Sequence, residues 1–114
     1  MSPDGVELSG LGSIGRDLCS DLGPALTAFC VNHSEETVIA WADGHSEPPE
    51  DAGPALRATY RAFSIVSGAD SAAVARAWFM GMNPSLADSS PAEALRDGHH
   101  TDVLAAARSH VQTS

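Results

Sequence analysis

Histidine and cysteine are the residues through which so short a chain would most readily do chemistry, and it has five of one and two of the other. His33 and His45 stand apart, His99 and His100 are adjacent, and His110 lies ten residues further on. Adjacent positions do not share a helix face, so His99 and His100 cannot both serve one ion from a helix. With Asp102 and His110 they make a conceivable zinc set, but the spacing fits no standard pattern, and the plainer reading is a polar turn between two helices. Cys19 and Cys30 lack the CxxC spacing and read as reduced, small apolar residues on neighbouring helices, with a disulfide or metal pair as the sharper alternative. Gly10-Leu11-Gly12-Ser13-Ile14-Gly15 satisfies GxGxxG. A dinucleotide site needs a strand before those glycines and a βαβ unit after them. Only Val6-Glu7-Leu8 is available as that strand, and no later segment alternates. The stretch therefore reads as an entry into a helix from about Leu11 to Ser20. GxSxG, HExxH and P-loop patterns do not occur. The sequence offers no catalytic residue, metal site or cofactor, and an enzyme is not expected.

The surrounding pattern predicts an all-α chain. Pro24 opens a helix through Leu26, Phe29 and Cys30, and Asn32-His33-Ser34 forms a turn. A third helix follows, with Glu35 and Glu36 in its first turn and Val38, Ile39 and Trp41 directed inward, ending at Asp43-Gly44. Two short helices across a three-residue turn have the form of a helix-turn-helix. Glu47 to Gly53 is acidic and proline-rich and divides the chain into residues 1–51, helix-turn-helix-like, and 52–114, a compact helical unit. Pro54 starts a helix to Ser67 with Leu56, Tyr60 and Phe63 as its core stripe, and with Arg57 and Arg61 on another side as a solvated face or a partner contact. From Ser71 to Met80 the spacing places Val74 and Trp78 on an apolar face, and Gly81 with Asn83-Pro84 stops the helix. Ser90-Pro91-Ala92-Glu93 is a capping box with proline at the first helical position. Gly98 supplies a left-handed stop. Thr101 is the expected cap of a last helix carrying Val103, Leu104, Ala107 and Val111.

Trp78, Asn83, Leu86, Pro91, Leu95 and Gly98 stand at the spacings W-x4-N-x2-L-x4-P-x3-L-x2-G, followed by an amphipathic helix. This resembles the toxin-binding domain of the MbcA/ParS/Xre antitoxin family over roughly 40 residues. That family places proline just before the asparagine; here Met82 stands there and Pro84 follows. Val31 to Gly44 likewise resembles the Xre-type motif V-x-x-S-x-x-T-V-x-x-W-x-x-G, with Pro48 and Pro49 where that family often has them. The resemblance implies an antitoxin that binds and silences a cognate toxin, typically a RES-domain enzyme that consumes NAD, by covering the entrance to its active site. All NAD chemistry would lie on the partner. The alternative is an Xre-type DNA-binding regulator, and the two are compatible because such antitoxins often repress their own operon. An accessory protein that kept the fold for another partner is a third reading.

Charge bears on the choice. Fifteen acids face six basic residues, all arginine, giving a net charge of −9. Such a chain is repelled by phosphates unless its arginines cluster, and attracts a basic protein. A recognition helix normally offers Arg, Lys, Gln or Asn to DNA; this one leaves only Asn32, His33, Ser34 and Thr37 as candidate contacts, so operator binding is expected to be weak. Without an 18-residue apolar run or a signal peptide, a cytoplasmic location with no membrane partner is expected. At 114 residues the chain is near the size where self-association helps a core, so a homo-oligomer or a toxin–antitoxin hetero-oligomer is expected. If it is an antitoxin, its partner surface should lie around the final turn and helix: Arg96, Asp97, His99, His100, Asp102, Arg108 and His110. That end is the part free to enter a concave site without unfolding the core, and arginine is a frequent hot-spot residue.

Overall fold

In a computed structural model, which describes residues 10–113, seven α-helices and two 3₁₀ turns account for the architecture, and no strand occurs among those residues. The helices are α1 (Gly10–Asp21), α2 (Pro24–Val31), α3 (Glu35–Asp43), α4 (Gly53–Ala69), α5 (Ala72–Met80), α6 (Pro91–Arg96) and α7 (His100–Thr113). The 3₁₀ turns are Glu50–Ala52 and Pro84–Leu86. Val6-Glu7-Leu8 lies outside the described residues.

The 17-residue α4 is central. It packs against α1, α2, α5, α6 and, most extensively, α7, while α3 sits outside it on α1 and α2. Buried side chains from Leu18 to Ala107 form one core, so helices on both sides of the turn at residues 50–52 share it. The radius of gyration, 13.6 Å, is what one globule of about 100 residues has.

Local signals set the helix ends. Ser34 Oγ accepts from the Thr37 N–H at 3.1 Å and caps α3. Ser71 does the same for α5 through the Val74 N–H. The capping box of α6 is complete: Ser90 Oγ accepts from the Glu93 N–H, and Glu93 Oε1 accepts from the Ser90 N–H at 2.9 Å. Gly98, at φ +91°, takes the left-handed position after α6. Thr101 is not a cap. Helix α7 already begins at His100, and the Val103 N–H donates to the His99 carbonyl. Hydrogen bonds at the end of α6, among them Gly98 N–H to Leu95 and His99 N–H to Ala94, bring the chain straight into α7 and leave Thr101 inside its first turn.

The buried phase of α5 differs from the expected one, while α4 and α3 keep theirs with one expected residue each, Tyr60 and Ile39, less buried. On α5, Ala75 and Phe79 are fully buried, Val74 is 41 % exposed and Trp78 is half-buried. The sequence Ala-Ala-Val-Ala-Arg-Ala-Trp-Phe-Met offers two overlapping apolar faces, and the one carrying Phe79 is turned toward the core. Trp78 instead closes its edge, with its ring against Phe79 at 5.4 Å and near edge-on. On α4 the buried stripe is Leu56, Thr59, Phe63 and Val66, with Tyr60 half-buried beside it. Thr59 is tolerated because its hydroxyl donates to the Ala55 carbonyl at 2.7 Å, which satisfies the polar atom within the helix. On α3, Val38 and Trp41 are buried and Ile39 faces outward.

Arginines tie the helices together. Arg16 Nε donates to the Ala42 carbonyl (3.3 Å), Arg76 Nη1 to the Asp21 carbonyl (3.0 Å) and Arg96 Nη1 to the Phe29 carbonyl (3.1 Å). Each acceptor lies in the last turn of α3, α1 or α2, where carbonyls lack intrahelical partners and the helix dipole favours a cation. None of these three helices has a basic residue in its own last turn.

The burial pattern on α5 generates a clean test. Phe79→Ala should cost about 3–5 kcal/mol of unfolding free energy, whereas Val74→Ala should cost less than about 1 kcal/mol. Urea denaturation of the two variants measures both, and a larger effect at Val74 would restore the phase read from sequence.

Candidate functional site

Two regions bring the candidate residues together. The first is the α2–turn–α3 unit. Asn32 takes the left-handed conformation (φ +60°) that ends α2, and its N–H bonds to Phe29. Its side chain is exposed. His33 is half-buried, with its ring edge-on to Trp41 at 4.9 Å. The Ser34 and Thr37 hydroxyls bond to each other at 2.8 Å while Ser34 also caps the helix. Three of the four candidate DNA contacts thus hold the turn together, and Asn32 alone presents an unengaged side chain. Exposed Glu35 and Glu36 stand at the head of α3.

The second region is the turn from Gly81 to Ser90 with the start of α7. Asn83 organises it: its side-chain oxygen accepts from the Ser85 N–H at 2.9 Å, its carbonyl from Leu86 and Asp88, and its N–H donates to Ser89. The loop then reverses through Ala87 (φ +55°) and Asp88 (φ +68°), two successive left-handed residues of which neither is glycine. Leu86 is buried and anchors the loop. Between the loop and the α6–α7 junction lies a groove of about 300 Å³ lined by Ser85, Leu86, Ala94, Asp97, His99 and Asp102 among others. His99 Nδ1 is 4.0 Å from Asp102 Oδ2. Two carboxylates and one histidine line it, so the groove is acidic in composition. Asp102 also sits in the first turn of α7, where the helix dipole favours an anion.

Of the seven residues expected at a partner surface, Asp97, His99 and Asp102 therefore share one groove. Arg108 is exposed on α7, and His100 is half-buried at its start, outside the groove lining. Arg96 and His110 are engaged within the fold. Arg96 holds the Phe29 carbonyl, and its guanidinium lies over the Phe29 ring at 4.7 Å. His110 Nε2 is 3.3 Å from Asp70 Oδ2, with the Trp78 ring 6.2 Å away. Met80 and Met82, absent from the expected surface, are 62 % and 79 % exposed at the entry to the same turn. The available signal was Met82 itself, an apolar residue where the resembling family has proline.

Among the described residues no group of three or more His, Cys, Asp or Glu stands close enough to hold a metal ion, and no helix is long and apolar enough to cross a membrane. Cys19 and Cys30 are free thiols. Burial raises the Cys19 pKa, with the nearby Asp43 carboxylate adding to it; burial alone pushes Cys30 up to about 12. Neither is placed for nucleophilic chemistry, which needs a thiolate. Neither a family model, a curated protein nor a solved structure matches the chain.

The Cys30 shift has a stability consequence whose sign follows from proton counting. Below the unfolded-state pKa of about 9 both states hold the proton, so the contribution is fully present. Above it the unfolded chain loses the proton while folded Cys30 keeps it, so stability falls as pH rises toward about 12. The slope from this one group approaches about 1.4 kcal/mol per pH unit. Urea melts of the natural chain and Cys30→Ala at several alkaline pH values should show the steeper decline in the natural chain, and parallel declines would refute it.

Proposed function

We propose that the chain is an antitoxin, a cytoplasmic protein that binds a toxin and silences it by covering the entrance to its active site. The observation that carries this reading is the turn from Gly81 to Ser90. It lies within the resembling motif, it is entered through the most exposed large apolar side chains described, and it forms one wall of an acidic groove. Exposed methionines beside polar residues suit a protein partner, because the flexible thioether side chain adapts to an apolar surface. Asp97 and Asp102 suit a basic rim on that partner. The resemblance names its class, a RES-domain toxin that consumes NAD, and the chemistry stays with the toxin. Inhibition is then steric, aided by the attraction of a −9 chain for a basic partner.

Co-expression with the product of the neighbouring gene tests this. Met82→Glu and Asp102→Arg should fold as the natural chain does, yet weaken binding at least about 30-fold each, the equivalent of about 2 kcal/mol, and lose rescue of growth. Full rescue by both variants would overturn the assignment of the surface.

The α2–turn–α3 arrangement supports a second reading, a DNA-binding regulator of the Xre type. With Ser34 and Thr37 occupied and two glutamates at the helix head, affinity for the chain's own promoter should be low and nearly independent of salt. A salt titration measures it; a slope of log affinity against log salt steeper than about −3 would mean several phosphate contacts and would favour the regulator.

A further inference from the structure

The six arginines are distributed unevenly in their engagements. Arg16, Arg76 and Arg96 are bonded to helix-end carbonyls, and among the described residues no arginine is paired with a carboxylate. Arg57 and Arg61 stand four apart on the outer side of α4, both exposed. Arg57 folds back over Gly53, so closely that a Cβ there would lie 2.9 Å from Nη2. Beside them α1 and α4 form a furrow made of two adjoining hollows of about 390 and 330 Å³, which share Ile14 and Arg57. Leu11 and Ile14 supply one wall; Arg57, Tyr60, Arg61 and Ser64 supply the other. Leu11, Ile14 and Tyr60 are half-buried, each leaving part of an apolar surface open to the furrow.

We propose that this furrow is a docking site for an acidic, amphipathic peptide segment of a protein partner. Positions four apart on a helix are separated by about 6 Å along its axis, close to the roughly 6.6 Å between alternate residues of an extended strand. An extended segment with acids at alternate positions therefore sets two carboxylates against Arg57 and Arg61. Its intervening side chains point to the opposite edge, toward Leu11 and Ile14. Guanidinium forks bind carboxylates bidentately, which fixes register as well as charge. Glu50 and Asp51 line a further hollow that adjoins Arg57. They repel a ligand acid at that end, so Arg61 is the stronger anchor. Nucleic acid is the poorer occupant: two cations on a −9 chain offer little to a polyanion, and phosphates make no use of an aliphatic wall. The furrow is opposite in sign to the Asp97–Asp102 groove and does not depend on the antitoxin reading.

The test is an NMR titration of the full ¹⁵N-labelled chain with the blocked peptide acetyl-Gly-Glu-Leu-Glu-Leu-Gly-amide. Saturable shifts confined to residues 11–14 and 57–64 are expected, with affinity falling as salt is raised. Arg61→Glu should weaken binding at least about tenfold and Arg61→Lys less. Ile14→Ser probes the aliphatic wall; because that substitution also loosens α1, a peptide with serine in place of both leucines is the matching control and should lose at least about tenfold. No saturable shift, shifts centred elsewhere, equal binding of the serine peptide, or equal binding of an oligodeoxythymidylate of the same charge would each overturn the proposal, the last in favour of nucleic acid.

Discussion

A helix of 17 residues that must be covered on several sides at once is the constraint from which the rest follows. Helix α4 presents Leu56, Thr59, Phe63 and Val66 to the interior, with Ala58 and Ala62 buried between them. The chain has only six aromatic residues, two Trp, one Tyr and three Phe, so few large rings are available to bridge wide gaps. Alanine solves the problem by bringing helix axes close: Ala75, Ala92, Ala94, Ala106 and Ala107 are all buried on the neighbouring helices. Close approach leaves little slack. Enlarging one of these alanines would force the backbones apart, a change that typically costs about 1–3 kcal/mol.

That tight packing is what positions the candidate surface. The Gly81–Ser90 turn hangs between α5, fixed by Phe79, and α6, fixed by Leu95 and its capping box. Its interior is held by Asn83 and buried Leu86, so the exposed methionines and the acidic groove rest on a preorganised loop. The backbone of such a loop loses little conformational entropy on binding, and the ordering cost falls on the methionine side chains. The left-handed pair Ala87-Asp88 is the local cost of that shape, about 1–2 kcal/mol for a residue with a Cβ.

What could be read from sequence was the part decided locally. Ser90 with Glu93, and Gly98, mark helix ends because the bonds made there close within a few residues. The all-helical class was legible for the same reason. Burial phase was less legible. On α5 two apolar faces compete within nine residues, and only contact with α4 and α6 selects Phe79 over Val74. Burial of Thr59 has no sequence signal, because a hydroxyl counts as polar and its bond to the Ala55 carbonyl is visible only in the folded helix. The engagement of Arg96 and His110 was invisible, since their acceptors lie 67 and 40 residues away.

The arginine ties bear on how such a sequence can drift. A main-chain oxygen belongs to every residue, so replacing Ala42 or Asp21 leaves the acceptor for Arg16 or Arg76 in place, provided the helix persists. The dependence is one-sided: the donor position is restricted and the acceptor position is free. Phe29 differs, because its ring as well as its carbonyl receives Arg96. Lineages descended from this fold could thus exchange much of their helix-end composition, retain three guanidinium groups, and come to share little beyond spacing.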